Sequence, residues 1–331
     1  MLRTMRCTRR RFLGAAASTI AAPLVAADER PVAELRAKAL VAITLDLEMS
    51  RNFPTWETMH WDYEKGNLND ETKRYAVEAC RRVRAAGGVA HCFAVGRVFE
   101  QEDVSWLRGI IQAGHAVGNH TYDHVNVLAT RAEDIQFRFR RCPWLIEGQT
   151  LAQAIRGNIQ LCTAALRNRV GIAPAGFRTP GGFQNGLRDH PNVQQMLQDV
   201  GFTWVSSLYP AHATGPQATD EVLRSIVQAQ RQAQPFAYPR GLIEIPMSPI
   251  SDIGAFRTGR WRLDDFLRAV RMALEWCIEN RAVFDFLSHP SCLYVVDPQF
   301  RTVDLICDMV RRAGNRALIV DLNEIARRAR G

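Results

Sequence analysis

Short apolar runs alternate with longer amphipathic stretches along almost the whole chain, and no segment repeats another. Leu40-Val41-Ala42-Ile43-Thr44-Leu45 shows the pattern, a β-rich run without the alternation of a half-exposed strand. A strand that is apolar on both sides is covered on both sides, as in a parallel sheet whose crossovers are helices. Further strands are expected at residues 89–95, 115–118, 175–177, 202–205, 242–245, 282–287 and 317–320. Helices are expected between them, at 70–86, 104–113, 131–141, 150–170, 193–200, 263–280 and 299–313, with a last one opening at Asp321-Leu322. Caps mark the first of these: Asn69 or Asp70 starts it and Gly87-Gly88 stops it. Residues 142–148 read as a loop or lid, and the Gln-, Ala- and Pro-rich residues 209–240 as a long loop. Such alternation implies an α/β architecture with a mostly parallel sheet, and 331 residues suffice for one barrel.

In a parallel barrel the chemistry sits at the C-terminal ends of the strands. The first run ends in Asp46-Leu47-Glu48. Strand geometry puts Asp46 and Glu48 on the same side, where two carboxylates are costly unless wet, paired or metal-bound. Gly118-Asn119-His120-Thr121-Tyr122-Asp123-His124 follows a later run. Two imidazoles four residues apart, on a loop or one helical turn, can face one metal ion; solvated surface pairs share that spacing. Arg178-Thr179-Pro180-Gly181-Gly182 and Ser288-His289-Pro290 close two further strands. The loop at 49–69 carries Trp56, His60, Trp61 and Tyr63, either as a substrate wall or as rings capping the core. His91, His115, His190 and His212 read as structural or surface residues. His60 stands apart because Trp56 and Trp61 are beside it.

Ahead of all this, Thr8-Arg9-Arg10-Arg11-Phe12-Leu13-Gly14 leads into an Ala-rich stretch and then Val25-Ala26-Ala27. A basic segment, a short apolar segment and a small-residue exit describe an export signal, and paired arginines before Phe-Leu resemble the twin-arginine (Tat) type. The apolar part is shorter than the about 20 residues of a membrane span. The expected organisation is a signal at 1–27, a linker at 28–37, a catalytic domain at 38–325 and a basic tail at 326–331. Expected partners are then the Tat export machinery and a substrate outside the cytoplasm, in the periplasm or extracellular, with no stable membrane span. Five arginines of the formal +8 lie within residues 1–27, leaving +3, an ordinary surface that gives nucleic-acid binding no support. After Cys7 seven cysteines remain, and none forms Cys-x-x-Cys, which argues against a structural zinc knuckle. Buried free thiols fit a protein folded before export, and one disulfide stays open.

Taken in order, Thr44-Leu45-Asp46-Leu47-Glu48, His120-Thr121-Tyr122-Asp123-His124, Arg178-Thr179-Pro180-Gly181-Gly182 and His289 resemble the motifs of the polysaccharide deacetylase family, the NodB homology domain or carbohydrate esterase family 4. The resemblance spans roughly residues 38–325. It implies a distorted (β/α)7-type barrel and a hydrolase that removes N-acetyl or O-acetyl groups from a cell-envelope or extracellular polysaccharide. One divalent metal ion, zinc in the first place, would be held by Glu48, His120 and His124. Asp46 would act as general base held by Arg178, with second metal ligand or structural salt bridge as its other roles. His289 would be the acid, or else a structural histidine. Gly181 would offer a backbone N–H to the oxyanion, and Trp56, His60, Trp61 and Gly181 would contact substrate. Two departures stand out. The family's Asp-Asp is Asp46-Leu47-Glu48 here, which moves the metal carboxylate to Glu48. Val205 stands where a fourth motif places the arginine's Asp partner. Two other functions fit such a chain: allantoinase-like hydrolysis of a small amide, and a glycan-binding module without catalysis.

Overall fold

The computed structural model describes residues 37–49 and 65–330. The expected signal, the linker up to residue 36, Trp56, His60 and Trp61 lie outside these residues. Strand β1 (Ala39–Leu47) is buried along its whole length. Helix α1 (Asp70–Ala85) starts where the Asn69 side chain accepts the Thr72 N–H, and Gly87 follows it at positive φ. Next come β2 (His91–Ala94), α2 (Ser105–Gln112), β3 (Ala116–Asn119) and α3 (Phe137–Arg141). Residues Pro143–Ile146 form a 3-10 turn where a loop was expected, and Thr150 and Gln153 then cap α4 (Leu151–Val170) reciprocally. The chain continues through β4 (Gly176–Phe183), α5 (Pro191–Asp199), β5 (Trp204–Leu208), α6 (Asp220–Gln232), β6 (Phe236–Ala237) and β7 (Ile243–Glu244). It ends with α7 (Leu263–Asn280), β8 (Val283–Ser288), α8 (Pro290–Val296), α9 (Arg301–Ala313), β9 (Ala317–Ile319) and α10 (Leu322–Ala329).

Three expectations change. Residues 209–240 are not a continuous loop, because Thr219 caps α6 and buries Val222, Leu223, Ile226, Ala229 and Gln230 on one face. The glutamines that masked this periodicity sit mainly on the other faces. Pro290 sits in the first turn of α8, where its missing N–H costs nothing, and so starts a helix directly after His289. The expected basic tail is, as far as Ala329, the last turn of α10, with Ala326 and Ala329 buried.

The strands form one sheet in the order β6-β7-β5-β4-β3-β2-β1-β8, with β9 also on β1. All these pairings are parallel except β6 with β7. The sheet curls into a distorted barrel. Its seam has no strand ladder among the described residues. Instead Ser248 N–H donates to Asp285 O at 2.9 Å, and the Gln230 and Gln234 amides donate to Val283 O at 3.1 Å each.

Side-chain alternation divides each strand between the helix layer and the lumen. Val41, Ile43, Leu45 and Leu47 of β1 join the outer core with residues of α1, α7 and α9. Leu40 and Ala42 face Phe93, Trp204, Ile243, Ile245 and Val283, and α10 seals this floor with Leu322 and Ile325. Gly176 makes room for the indole, since a Cβ there would lie 1.8 Å from Trp204 Cε2. Two residues further along the same strands, the lumen turns polar: Thr44 and Asp46 on β1, Arg178 on β4, Ser206 on β5 and Asp285 on β8. Among the described residues all seven cysteines are free, and no helix is long and apolar enough to cross a membrane.

Candidate active site

At the C-terminal mouth of the lumen, Glu48, His120 and His124 converge. The loop after β3 is neither extended nor helical, since Thr121 and His124 have φ of 60° and 61°. Such residues cost about 1–3 kcal/mol each and persist when their surroundings hold them. Here Asn119 Oδ1 accepts the Thr121 N–H at 2.8 Å, and Thr121 Oγ1 accepts the Val125 N–H at 2.9 Å. Asn158 Oδ1 accepts the N–H groups of Tyr122 and Asp123 at 2.8 and 2.9 Å. Asp123 belongs to this scaffold, taking hydrogen bonds from Arg97, Arg138 and Asn158 at 2.7 Å each.

His120 Nδ1 lies 3.0 Å from the Arg178 carbonyl, which can only accept, so Nδ1 carries the proton and Nε2 keeps its lone pair. His124 Nε2 is 2.5 Å and His120 Nε2 3.6 Å from Glu48 Oε2. That oxygen is buried and, among the described residues, takes no well-formed hydrogen bond, whereas Lys65 Nζ donates to Oε1 at 2.6 Å. Burial lowers His124 to about 4 despite the pull of Glu48, so its imidazole is neutral. Burial opposes ionisation of Glu48 as well, but His124, Lys65 and His120 outweigh it and hold the carboxyl well below its usual range. The three ligand atoms lie within 4.8 Å of one another. Two imidazole lone pairs and an orphaned carboxylate oxygen are a donor set that fits zinc or a neighbouring divalent ion. Asp252, His289 and Cys292 are equally close together, but His289 Nδ1 is already bonded to Asp252.

Asp46 sits between this trio and two basic groups. Its Oδ1 takes a hydrogen bond from Arg178 Nη1 at 3.3 Å. Its Oδ2 is 3.7 Å from His120 Nε2 and 4.0 Å from His289 Nε2. Arg178 is fully buried, with the Phe93 ring 4.4 Å below its guanidinium carbon. Val205 cannot partner it, because Val205 packs with Phe177 and Leu197 in the outer cluster. The partner is Asp285, whose Oδ2 accepts Arg178 Nη2 at 2.5 Å. Burial raises Asp285 to about 6 against the opposing pull of Arg178, which leaves it ionised at neutral pH.

His289 has a carboxylate of its own. Asp252 Oδ2 accepts its backbone N–H at 2.7 Å, and Oδ1 lies 2.9 Å from its Nδ1. Burial alone would lower this histidine; Asp252, Asp46 and Glu48 outweigh burial and raise it above the ordinary value. Asp252 also leads into a π-helical turn, Ile253–Thr258, that carries Arg257.

Asp46, Glu48, His120, His124 and His289 line a cavity of ≈ 240 Å³, with Lys65, Gly181, Tyr209, Met247 and Arg257 in its wall. Gly181 has φ of 77°, and an added Cβ would meet nothing within 4 Å, so the backbone angle and not space favours glycine there. The structure thus brings together Asp46, Glu48, His120, His124, Arg178, Gly181 and His289. His91 and His115 lie elsewhere and accept the backbone N–H groups of Leu322 and Ala90. The sequence reading missed Lys65, Asp252 and Asp285. For Asp285 there was a signal, a carboxylate in the middle of an otherwise apolar strand.

The mouth of the barrel thus holds a metal-type donor trio beside an Asp–Arg pair and an Asp–His pair. The family model for polysaccharide deacetylase matches residues 67–205, a segment that contains the His120–His124 loop and Arg178. Among solved structures, a Mycobacterium smegmatis protein described as a polysaccharide deacetylase superposes with a TM-score of 0.60 at 15% identity, over 91% of this chain and 93% of the other. A Pseudomonas aeruginosa PAO1 protein described in the same way gives 0.61 at 12% identity, over 88% and 91%. PuuE allantoinase gives 0.58 at 14% identity, over 88% and 90%. These likenesses show the fold, a distorted (β/α) barrel. No curated protein matches the sequence.

Proposed function

We propose that the protein is a metal-dependent deacetylase acting on the N-acetyl or O-acetyl groups of a cell-envelope or extracellular polysaccharide. The observation that carries this reading is the orphaned Glu48 Oε2 facing His120 and His124, with Asp46 Oδ2 and His289 Nε2 bordering the same space. Glu48, His120 and His124 would hold a divalent ion, zinc first among them, which would supply Lewis acidity toward water and the substrate carbonyl. Asp46 has one oxygen tied to Arg178 and the other turned to the cavity, placed to take a proton from an attacking water. His289, whose pKa Asp252 helps to raise, approaches Asp46 Oδ2 from the β8 side. It is placed to protonate the departing amine or alcohol. Gly181 brings main chain to the cavity wall, and its N–H is our candidate donor to the developing oxyanion.

Residues 1–27 then act as a Tat-type signal that delivers the enzyme to the periplasm or beyond. Cell fractionation of the full chain in hosts with and without a working Tat system checks this. The non-catalytic reading is disfavoured because Asp46, Arg178 and His289 surround the metal-type trio. Allantoinase-like hydrolysis of a small amide draws on the same groups and a similar fold. Acetate release from acetylated oligosaccharides, compared with hydrolysis of small cyclic amides, decides between the two. Turnover of only the small amides would replace the deacetylase.

A further inference from the structure

The geometry points to Asp285 as the residue that positions the Arg178–Asp46 pair, in place of a carboxylate on β5. The role rests on the hydrolase reading above. A guanidinium in a dry lumen needs a counter-charge, and a carboxylate is the best match for its paired N–H groups. Arg178 divides its donors between two. Nη2 reaches Asp285 Oδ2 at 2.5 Å and Ser206 Oγ at 3.2 Å. Nη1 reaches Thr44 Oγ1 at 2.8 Å and Asp46 Oδ1 at only 3.3 Å. Thr44 Oγ1 in turn is 2.9 Å from Asp285 Oδ1, closing a ring of Arg178, Thr44 and Asp285 across three strands. Arg178 is therefore anchored on Asp285 and merely touches Asp46.

That division leaves Asp46 Oδ2 in the cavity. Without the Asp285 charge, the buried guanidinium has Asp46 as its remaining carboxylate partner. It would draw both Asp46 oxygens into a bidentate pair and take Oδ2 away from the reacting water. Asp285 touches neither the cavity lining nor the metal-type trio, so it acts through Arg178. The carboxylate need not stand on β8. Ser206 is the register partner of Arg178 on β5, and its hydroxyl already meets Nη2.

The test is an Asp285→Asn variant and an Asp285→Asn/Ser206→Asp double variant of the full-length, zinc-loaded protein. Acetate release is measured on para-nitrophenyl acetate and on N-acetylglucosamine oligomers. The single variant is expected to lose roughly 100-fold in kcat with little change in KM. Its zinc content stays at the wild-type level, and the double variant recovers most of the loss. Separate, slowly exchanging guanidinium proton signals of Arg178 should vanish in the single variant and return in the double. An active Asp285→Asn enzyme, or a double variant that regains its melting temperature but not its kcat, would overturn the role of Asp285. A wild type that releases acetate from neither probe contradicts the hydrolase reading itself, and the Arg178 signals then still report the ion pair.

Discussion

The floor and the mouth of the lumen are built by the same strands two residues apart, and they obey opposite rules. At the floor, Leu40, Ala42, Trp204, Ile243 and Val283 close on Leu322 and Ile325 of α10. Polar groups are few there, the Trp204 indole N–H on Asn323 and His91 on the Leu322 N–H, and what matters most is volume. At the mouth, Thr44, Asp46, Arg178, Ser206 and Asp285 continue the same faces, and they are tied to one another by hydrogen bonds. A buried network of this kind is sound when complete and costly when one member goes. The floor supplies stability, and the mouth spends some of it to hold charges away from water.

The comparison is tested most severely at Arg178. Arg178→Met leaves Asp46 and Asp285 buried without their cation and should cost about 3–5 kcal/mol in urea denaturation, together with activity. A loss below about 1 kcal/mol would mean that water reaches the mouth and relieves the charges. Next in size, Leu322→Ala opens the floor and should cost about 2–5 kcal/mol. The folded fraction should keep wild-type kcat, and a parallel fall in kcat would show that the two regions are coupled. Asp252→Asn should lower kcat about 100-fold with unchanged metal content, because His289 loses the carboxylate that raises it. Steady-state rates on metal-loaded enzyme check this. The smallest effect is expected for Lys65→Met, about tenfold in metal affinity by competition with a chelator, since Lys65 only orients Glu48 through Oε1.

What the sequence revealed follows the same divide. The helix layer and the apolar strands were legible because periodicity is local; 263–280 was expected as a helix and is one. The residues of the candidate site were legible where they come as neighbours, as in Asp46-Leu47-Glu48 and His120–His124. Asp285 and Asp252 were not, because each is defined by a partner brought close only by barrel closure, 107 and 37 residues away. The same closure explains how Val205 can stand in the expected Asp position without leaving Arg178 bare. Helix α6 was hidden for a different reason: its exposed faces are mostly Gln and Arg, which resemble loop composition, while its apolar face is only a few residues wide.

The central claim is that Glu48, His120 and His124 hold one divalent ion at the lumen mouth. Metal content by mass spectrometry of the purified protein, beside Glu48→Ala and His120→Ala, tests it most directly. The account predicts one ion per chain in the wild type and none in either variant, with all three folded by circular dichroism. A wild type that stays metal-free after incubation with zinc, or variants that keep the ion, would contradict it.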